Sequence, residues 1–253
     1  MSPLPVPDLH PVQRQSLSDA VFEQLRNQIL RGERLPGSSL PAERALCEGL
    51  GVNRSAVREA LRRLEQAGLV AVRQGDASRV LDYRENASLD LLGVLLIGPD
   101  GRFDARVVRG ILEMRSALGP DAARLAALRG GPLCGERLAG EVAAMRDAHG
   151  DLARLQAIAT SFWGHLIDGA DNVAYRLAFN ALHETYDRVR LLLARPMEAE
   201  LADATPYAAL ADAVRRGDPE AAESLARTLL RRGERGVLEA LERICAAARK
   251  ERG

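Results

Sequence analysis

The chain has 253 residues, enough for two modest domains with a core each. Hydrophobic residues make up 47% and aromatics only 4%, a balance that suits an Ala- and Leu-rich helical protein. Thirty-five basic side chains against 35 acidic ones give zero formal charge. That argues against a protein that coats nucleic acid non-specifically, but not against a sequence-specific reader, where local charge decides. No run of about eighteen apolar residues occurs, so no membrane span or membrane partner is expected. Residues 1–15 lack the basic start and apolar centre of a signal peptide, read as a flexible lead-in, and point to a cytoplasmic protein. Cys47, Cys134 and Cys245 are odd in number and far apart, which supports neither a disulfide framework nor a zinc site.

Leu17, Val21, Leu25, Ile29 and Leu30 recur at helical spacing and predict a helix over 16–31, capped by Ser16 or Ser18. The Gly- and Pro-bearing loop 31–37 stops it. Pro41 opens a second helix, and Gly49 and Gly51 end that helix and make a tight turn. Asn53 caps a third helix that runs to about Ala67, and Gly68 ends it. Leu50, Val52, Val57, Leu61 and Leu64 fill a small core. Two strands follow, 69–73 and 77–81, turning at Gln74-Gly75-Asp76. This order of parts is a winged helix-turn-helix with a two-stranded wing, spanning 16–82.

The arginines give that fold its expected use. Between Arg54 and Arg79 there are six, against Glu59, Glu65 and Asp76. The start of a recognition helix enters the major groove and its first side chains reach base edges. Arg54 and Arg58 lie one turn apart on one face, and either can bond a guanine through two nitrogens. Ser55 and Arg44 suit phosphates. Gly75 at the wing tip lets the backbone come close to the minor groove. The alternative use of such a fold is protein contact alone.

The segments LPAER and LGVNRSAVREALRRLEQAGLV, with the Gln-Gly wing, closely resemble the DNA-binding domain of the GntR superfamily, and of its FadR-type branch in particular. The resemblance implies that Arg44, Arg54, Ser55, Ala56 and Arg58 touch an operator, that Asn53 stands with them, and that Gln74 and Gly75 make the wing contact. Many members carry Ser where this chain has Ala42. One cap oxygen is then missing, which weakens the start of the second helix slightly.

Residues 83–102 read as a linker and a connecting helix. From Ser88 onward helices are predicted over 88–97, 103–129, 133–148, 151–169, 172–194, 199–216 and 218–248. Gly- and Pro-bearing breaks separate them, so an antiparallel helical bundle over 103–249 is expected. Leu152, Leu155, Ile158, Phe162 and Leu166 form one apolar stripe; Leu177, Ala181, Thr185, Val189 and Leu192 form another. The bundle resembles the FadR-type C-terminal effector-binding and dimerisation domain, on Arg115, the GADN turn at 169–172 and AVRRGD at 213–218.

Most members of that class hold a metal with one Asp and three His. The matching positions here are Ala159, Trp163, Tyr207 and, nearly, Leu229. Neither a metal nor another cofactor is therefore expected, and Trp163 should fill the ion's space in a more apolar pocket. The fatty-acyl-responsive branch also lacks the ligands, and its Tyr-Thr-Arg resembles Tyr186-Asp187-Arg188. Its last-helix Tyr, Ser and Trp correspond to Leu229, Gly233 and Val237. The resemblance thus implies an effector site of Arg115, Trp163, Tyr186, Arg188 and Tyr207. It would take an acyl-CoA, another apolar thioester or a fatty acid, with a small carboxylate (a sugar acid or amino acid) as the alternative.

Taken from the residues alone, Arg115 either holds a ligand's carboxylate, phosphate or carbonyl, or is the buried partner of a Glu. Arg188 and Arg190 meet an anionic head group or make a solvated face. The pairs His183/Asp187 and His165/Asp168 read as polar residues at the core edge. No GxSxG, P-loop, dinucleotide fingerprint or HExxH occurs, so no enzyme is expected. The expected protein is a homodimer on a palindromic double-stranded operator. The alternative of another class is a helical ligand-binding protein that uses its winged helix for protein contacts.

Overall fold

The computed structural model describes residues 16–72, 77–98 and 101–250, without the side chains of 245 and 247–250. The expected lead-in, the wing tip at Gln74-Gly75 and the Cys245 side chain lie outside the described residues. Two compact units divide between Leu91 and Leu92, inside the stretch expected as a linker.

In the first unit α1 is Leu17–Leu30, α2 Glu43–Leu50 and α3 Arg54–Gln66. Ser16, rather than Ser18, caps α1 in a reciprocal capping box with Asp19. Pro41 lies two residues before α2 rather than in its first turn. The N-cap is Ala42, which offers no side-chain bond. Asn53 Oδ1 accepts from Ala56 N at 2.9 Å and starts α3. Val21, Leu25, Val57, Leu61, Leu64 and Val80 are buried together in the small core, whereas Leu50 and Val52 are only half-buried. Gly68 takes a left-handed φ of 69°, and a Cβ there would lie 2.6 Å from Asn86 O, so both backbone and space demand glycine.

The wing is shorter and wider than predicted. Strands β1, Val70–Ala71, and β2, Arg79–Val80, pair antiparallel over two residues each. The segment 37–40 pairs on the other side of β2: Gly37 N donates to Val80 O, Val80 N to Ser38 O and Leu40 N to Ser78 O. The linker expectation also changes, because Asp82 caps a one-turn helix, α4 (Tyr83–Asn86).

The helix expected over 88–97 is present only over 89–95 and is split in type. A 3-10 turn, Leu89–Leu91, ends the first unit, and the second begins with a single turn, α5 (Leu92–Leu95), followed by an isolated bridge between Ile97 and Phe103. Gly93 inside this stretch lowers its helix propensity. The bundle is α6 (Ala105–Arg129), α7 (Gly131–Asp147), α8 (Leu152–Gly169), α9 (Val173–Asp187), α10 (Arg190–Leu193), α11 (Glu198–Leu201), α12 (Thr205–Arg215) and α13 (Pro219–Lys250). The two longest helices, α6 and α13, pack together, and α7 packs on α8 and α12.

Two expected helices are each divided. The one over 172–194 breaks at Val189, whose φ is −123°, and Thr185 Oγ1 bonds back to Ala181 O just before the break. The one over 199–216 is interrupted because Asp203 accepts from Thr205 N and Pro206 enters the new first turn. In the second apolar stripe Ala181, Thr185 and Val189 are buried, but its ends, Leu177 and Leu192, are exposed. The GADN turn holds Asp171 at φ 46°, while Arg129 donates to the carbonyls of Ala170 and Asp171.

Candidate nucleic-acid interface and ligand cavity

The N-terminal turn of α3 sorts the expected contact residues. Ala56 is buried and its N–H is held by Asn53, so both serve the helix start, and the methyl of Ala56 faces the core rather than outward. Arg54, Ser55 and Arg58 are exposed. Glu43 of α2 joins the two arginines: Arg54 Nε donates to its Oε2 at 2.9 Å and Arg58 Nε at 3.0 Å. Both bonds use Nε, which leaves the terminal nitrogens for another acceptor. Arg54 and then Arg58 hold the Glu43 carboxyl below its ordinary range. Arg44 stands outside this trio, on Glu48 at 2.8 Å and almost fully exposed.

Two of the six arginines serve the fold instead. Arg63 pairs with Asp19 at 2.5 Å and lies over the Phe22 ring, 4.3 Å from its centroid. Arg79 Nε donates to Gly37 O at 3.2 Å and ties down the third wing segment.

The second unit encloses a cavity of about 330 Å3 among α6, α8, α9 and α13. Its wall is overwhelmingly apolar, and Arg115, Trp163 and Tyr186 are among the residues that line it. Arg115 does not wait there with a bare charge. Its Nη2 donates to Glu200 Oε1 at 2.5 Å and its Nη1 to Glu200 Oε2 at 3.2 Å, a two-bond pair with a fully buried carboxylate. Burial works against the Arg115 charge, but Glu200 outweighs it and holds the guanidinium above its usual range. Burial also pushes the Tyr186 hydroxyl up to about 12, with Arg115 opposing and Glu200 adding.

Two expected effector residues stand elsewhere. Tyr207 does not line the cavity. It is fully buried, edge-on to Phe162 at 5.0 Å between ring centroids, with its hydroxyl 3.4 Å from Glu200 Oε1. Arg188 is exposed, pairs with Glu184 at 2.8 Å and packs over Gly93, outside the cavity wall.

The sequence offered Arg115 a buried Glu as one of two partners but did not single out Glu200. Its seat depends on Gly233, where a Cβ would lie 1.8 Å from Glu200 Oε2. The residues at the four would-be metal positions do not fit a metal. Ala159, Trp163 and Leu229 have no ligating atom, and burial keeps the Tyr207 hydroxyl protonated far above neutrality.

The regulatory-protein description "Bacterial regulatory proteins, gntR family" matches residues 17–80, and the FCD domain matches 110–232. The HTH-type transcriptional regulator Mce2R of Mycobacterium tuberculosis is 44% identical over 222 residues, 88% of this chain and 92% of that one. The chain belongs to the GntR family. This GntR protein is a transcription regulator with an FCD domain, not an enzyme. The Glc operon transcriptional activator of Escherichia coli is 36% identical over 106 residues, 42% of each chain. Among solved structures, Lar of Listeria monocytogenes covers 88% of the GntR chain and 99% of its own, with TM-score 0.54 and 19% identity. E. coli McbR covers 89% and 99%, with TM-score 0.51 and 20% identity. At those identities the two structures speak for the fold alone. No helix among the described residues is long and apolar enough to cross a membrane.

Proposed function

We propose that this GntR regulator reads a palindromic operator as a homodimer, one α3 in the major groove of each half-site. The observation that carries the reading is the exposed pair Arg54 and Arg58, set side by side by Glu43 at the start of α3. Ser55 and Arg44 are exposed and suit phosphates, and Gln74-Gly75 completes the contact as the wing tip. A single copy reads one half-site, so two-fold symmetry doubles the contact. The place of work is the cytoplasm, where the operator is.

The effector of this reading is an apolar molecule in the second unit's cavity, with an acyl thioester as the first candidate. Apolar walls suit an alkyl chain, and the neutralised Arg115 suits an uncharged carbonyl better than a fatty-acid or small carboxylate. The ligand acts by binding better to a state whose recognition helices no longer match the half-site spacing. Residues 83–102 are the covalent route between the units.

A mobility-shift titration tests this on DNA from upstream of the gene and its neighbours, with and without oleoyl-CoA. A specific shift released by the thioester is the expected result. A shift indifferent to oleoyl-CoA but released by small carboxylates moves the effector to that class. A protein that binds no fragment, even after selection from the whole genome, uses its winged helix for protein contacts.

A further inference from the structure

The exposed arginines of α2 and α3 stand among carboxylates. Arg44 pairs with Glu48 and Arg62 with Glu59, each within one helix. Arg54 and Arg58 share Glu43 of α2. Carboxylates beside these arginines repel phosphates, and so oppose the sequence-independent part of DNA affinity. Glu48 and Glu59 make ordinary pairs along a helix surface, which are worth little. Glu43 differs from both.

Glu43 bridges two helices, reaching Arg54 11 residues and Arg58 15 residues along the chain. Its side chain is 30% exposed, against 66% for Glu48 and 42% for Glu59. It is also the first residue of α2, whose N-cap, Ala42, makes no side-chain bond. The free amides of that helix start favour a negative charge there. Arg54 Nε donates to Glu43 Oε2 at 2.9 Å, and Arg58 Nε reaches the same oxygen at 3.0 Å and Oε1 at 3.3 Å. One oxygen thus fixes the spacing of both side chains. A guanidinium is a planar fork that can grip a base side-on, through Nε and one terminal nitrogen, or end-on, through both terminal nitrogens. With Nε on Glu43, the end-on grip is the one left to each arginine.

We infer that Glu43 is a specificity-determining residue of the operator site: it sets Arg54 and Arg58 for end-on bonds to base edges and, by its charge, weakens binding to DNA that lacks the matching bases. This rests on α3 being the helix that reads the operator. At a matched half-site the terminal nitrogens gain base bonds while each Nε keeps Glu43. Those bonds offset the repulsion between the carboxylate and the phosphates. At unmatched DNA the repulsion stands alone. A residue of this kind lowers affinity everywhere and lowers it least at the right sequence.

The test compares full-length wild type, Glu43→Gln and Glu43→Asp on two labelled duplexes of equal length. One is the operator fragment recovered by selection from the genome, the other a random sequence, and both are titrated by anisotropy over a range of salt. Glu43→Gln should bind the random duplex about three- to tenfold tighter, with a salt slope steeper by up to about one. The operator should gain less, so the operator-to-random ratio should fall at least about fivefold. Glu43→Asp keeps the charge but is one methylene short of the arginines. It should bind the random duplex as wild type does and the operator at least about fivefold more weakly. A merely structural role would weaken both duplexes together. An unchanged ratio in Glu43→Gln therefore overturns the inference and leaves the operator reading standing. A wild type that prefers no selected fragment over the random duplex removes the operator reading, and the inference with it. Should Glu43→Gln fail to fold by circular dichroism, Glu43→Asp decides: operator affinity equal to that of wild type overturns the inference.

Discussion

Each unit of this GntR regulator holds a glutamate against arginine, and the two arrangements have opposite meanings. Glu43 bridges Arg54 and Arg58 at the surface, where the arginine side chains are 69% and 60% exposed. Glu200 is fully buried against Arg115. A surface ion pair is worth about 0–1 kcal/mol, so an operator can outcompete Glu43 for guanidinium nitrogens at little cost. A buried pair is different: its net contribution is small, yet removing one member strands a charge and costs about 3–5 kcal/mol. The first arrangement presents charge and the second conceals it. The contrast teaches that an arginine's partner and depth, rather than its presence in a family position, decide whether it meets a ligand.

Changes that break the contrast should act very unequally. Arg115→Met leaves the Glu200 carboxylate in the core without its counter-charge and should destabilise the protein by about 3–5 kcal/mol in urea unfolding. Alkaline pH should act next. The unfolded Tyr186 hydroxyl ionises near 10, whereas the folded one resists until about 12. The share of stability from this group should therefore be flat below pH 10, fall by about 2–3 kcal/mol between pH 10 and 12, and then level off, while the Tyr207 hydroxyl, raised by burial as well, adds a fall of its own above pH 10. Unfolding midpoints across that range check it, and Tyr186→Phe should make the fall smaller, leaving the share from Tyr207. Ala42→Ser should restore the missing cap of α2 and raise stability by about 0.5–1 kcal/mol, read as a higher melting temperature. Glu43→Gln, at the exposed pair, should change stability least, by less than about 0.5 kcal/mol in the same unfolding assay.

The two units were unequally legible for the same physical reason. In the first, the signals are local. Ser16, Asn53 and Gly68 act within a few residues of themselves, and the apolar periodicity of α1 and α3 points to one shared core. What escaped there was non-local: the pairing of 37–40 beside β2 and the engagement of Arg63 by Asp19, 44 residues earlier. In the second unit the decisive contact, Arg115 with Glu200, spans 85 residues, and nothing near either residue announces it. The family position of Arg188 suggested the cavity, whereas the break at Val189 accompanies its placement on the outer face. Other misses had readable signals. Asp203 followed by Thr205-Pro206 is a helix start, and Gly93 is a weak point in a short predicted helix.

The most direct test of the account is fluorescence anisotropy of a labelled operator fragment, titrated with wild-type protein and with Arg58→Glu, both verified as folded by circular dichroism. Reversing one charge at the start of α3 should weaken specific binding at least about a hundredfold, because a base contact is lost and a repulsion added. Equal affinity of the two proteins for that fragment would contradict the account and take α3 out of the DNA interface.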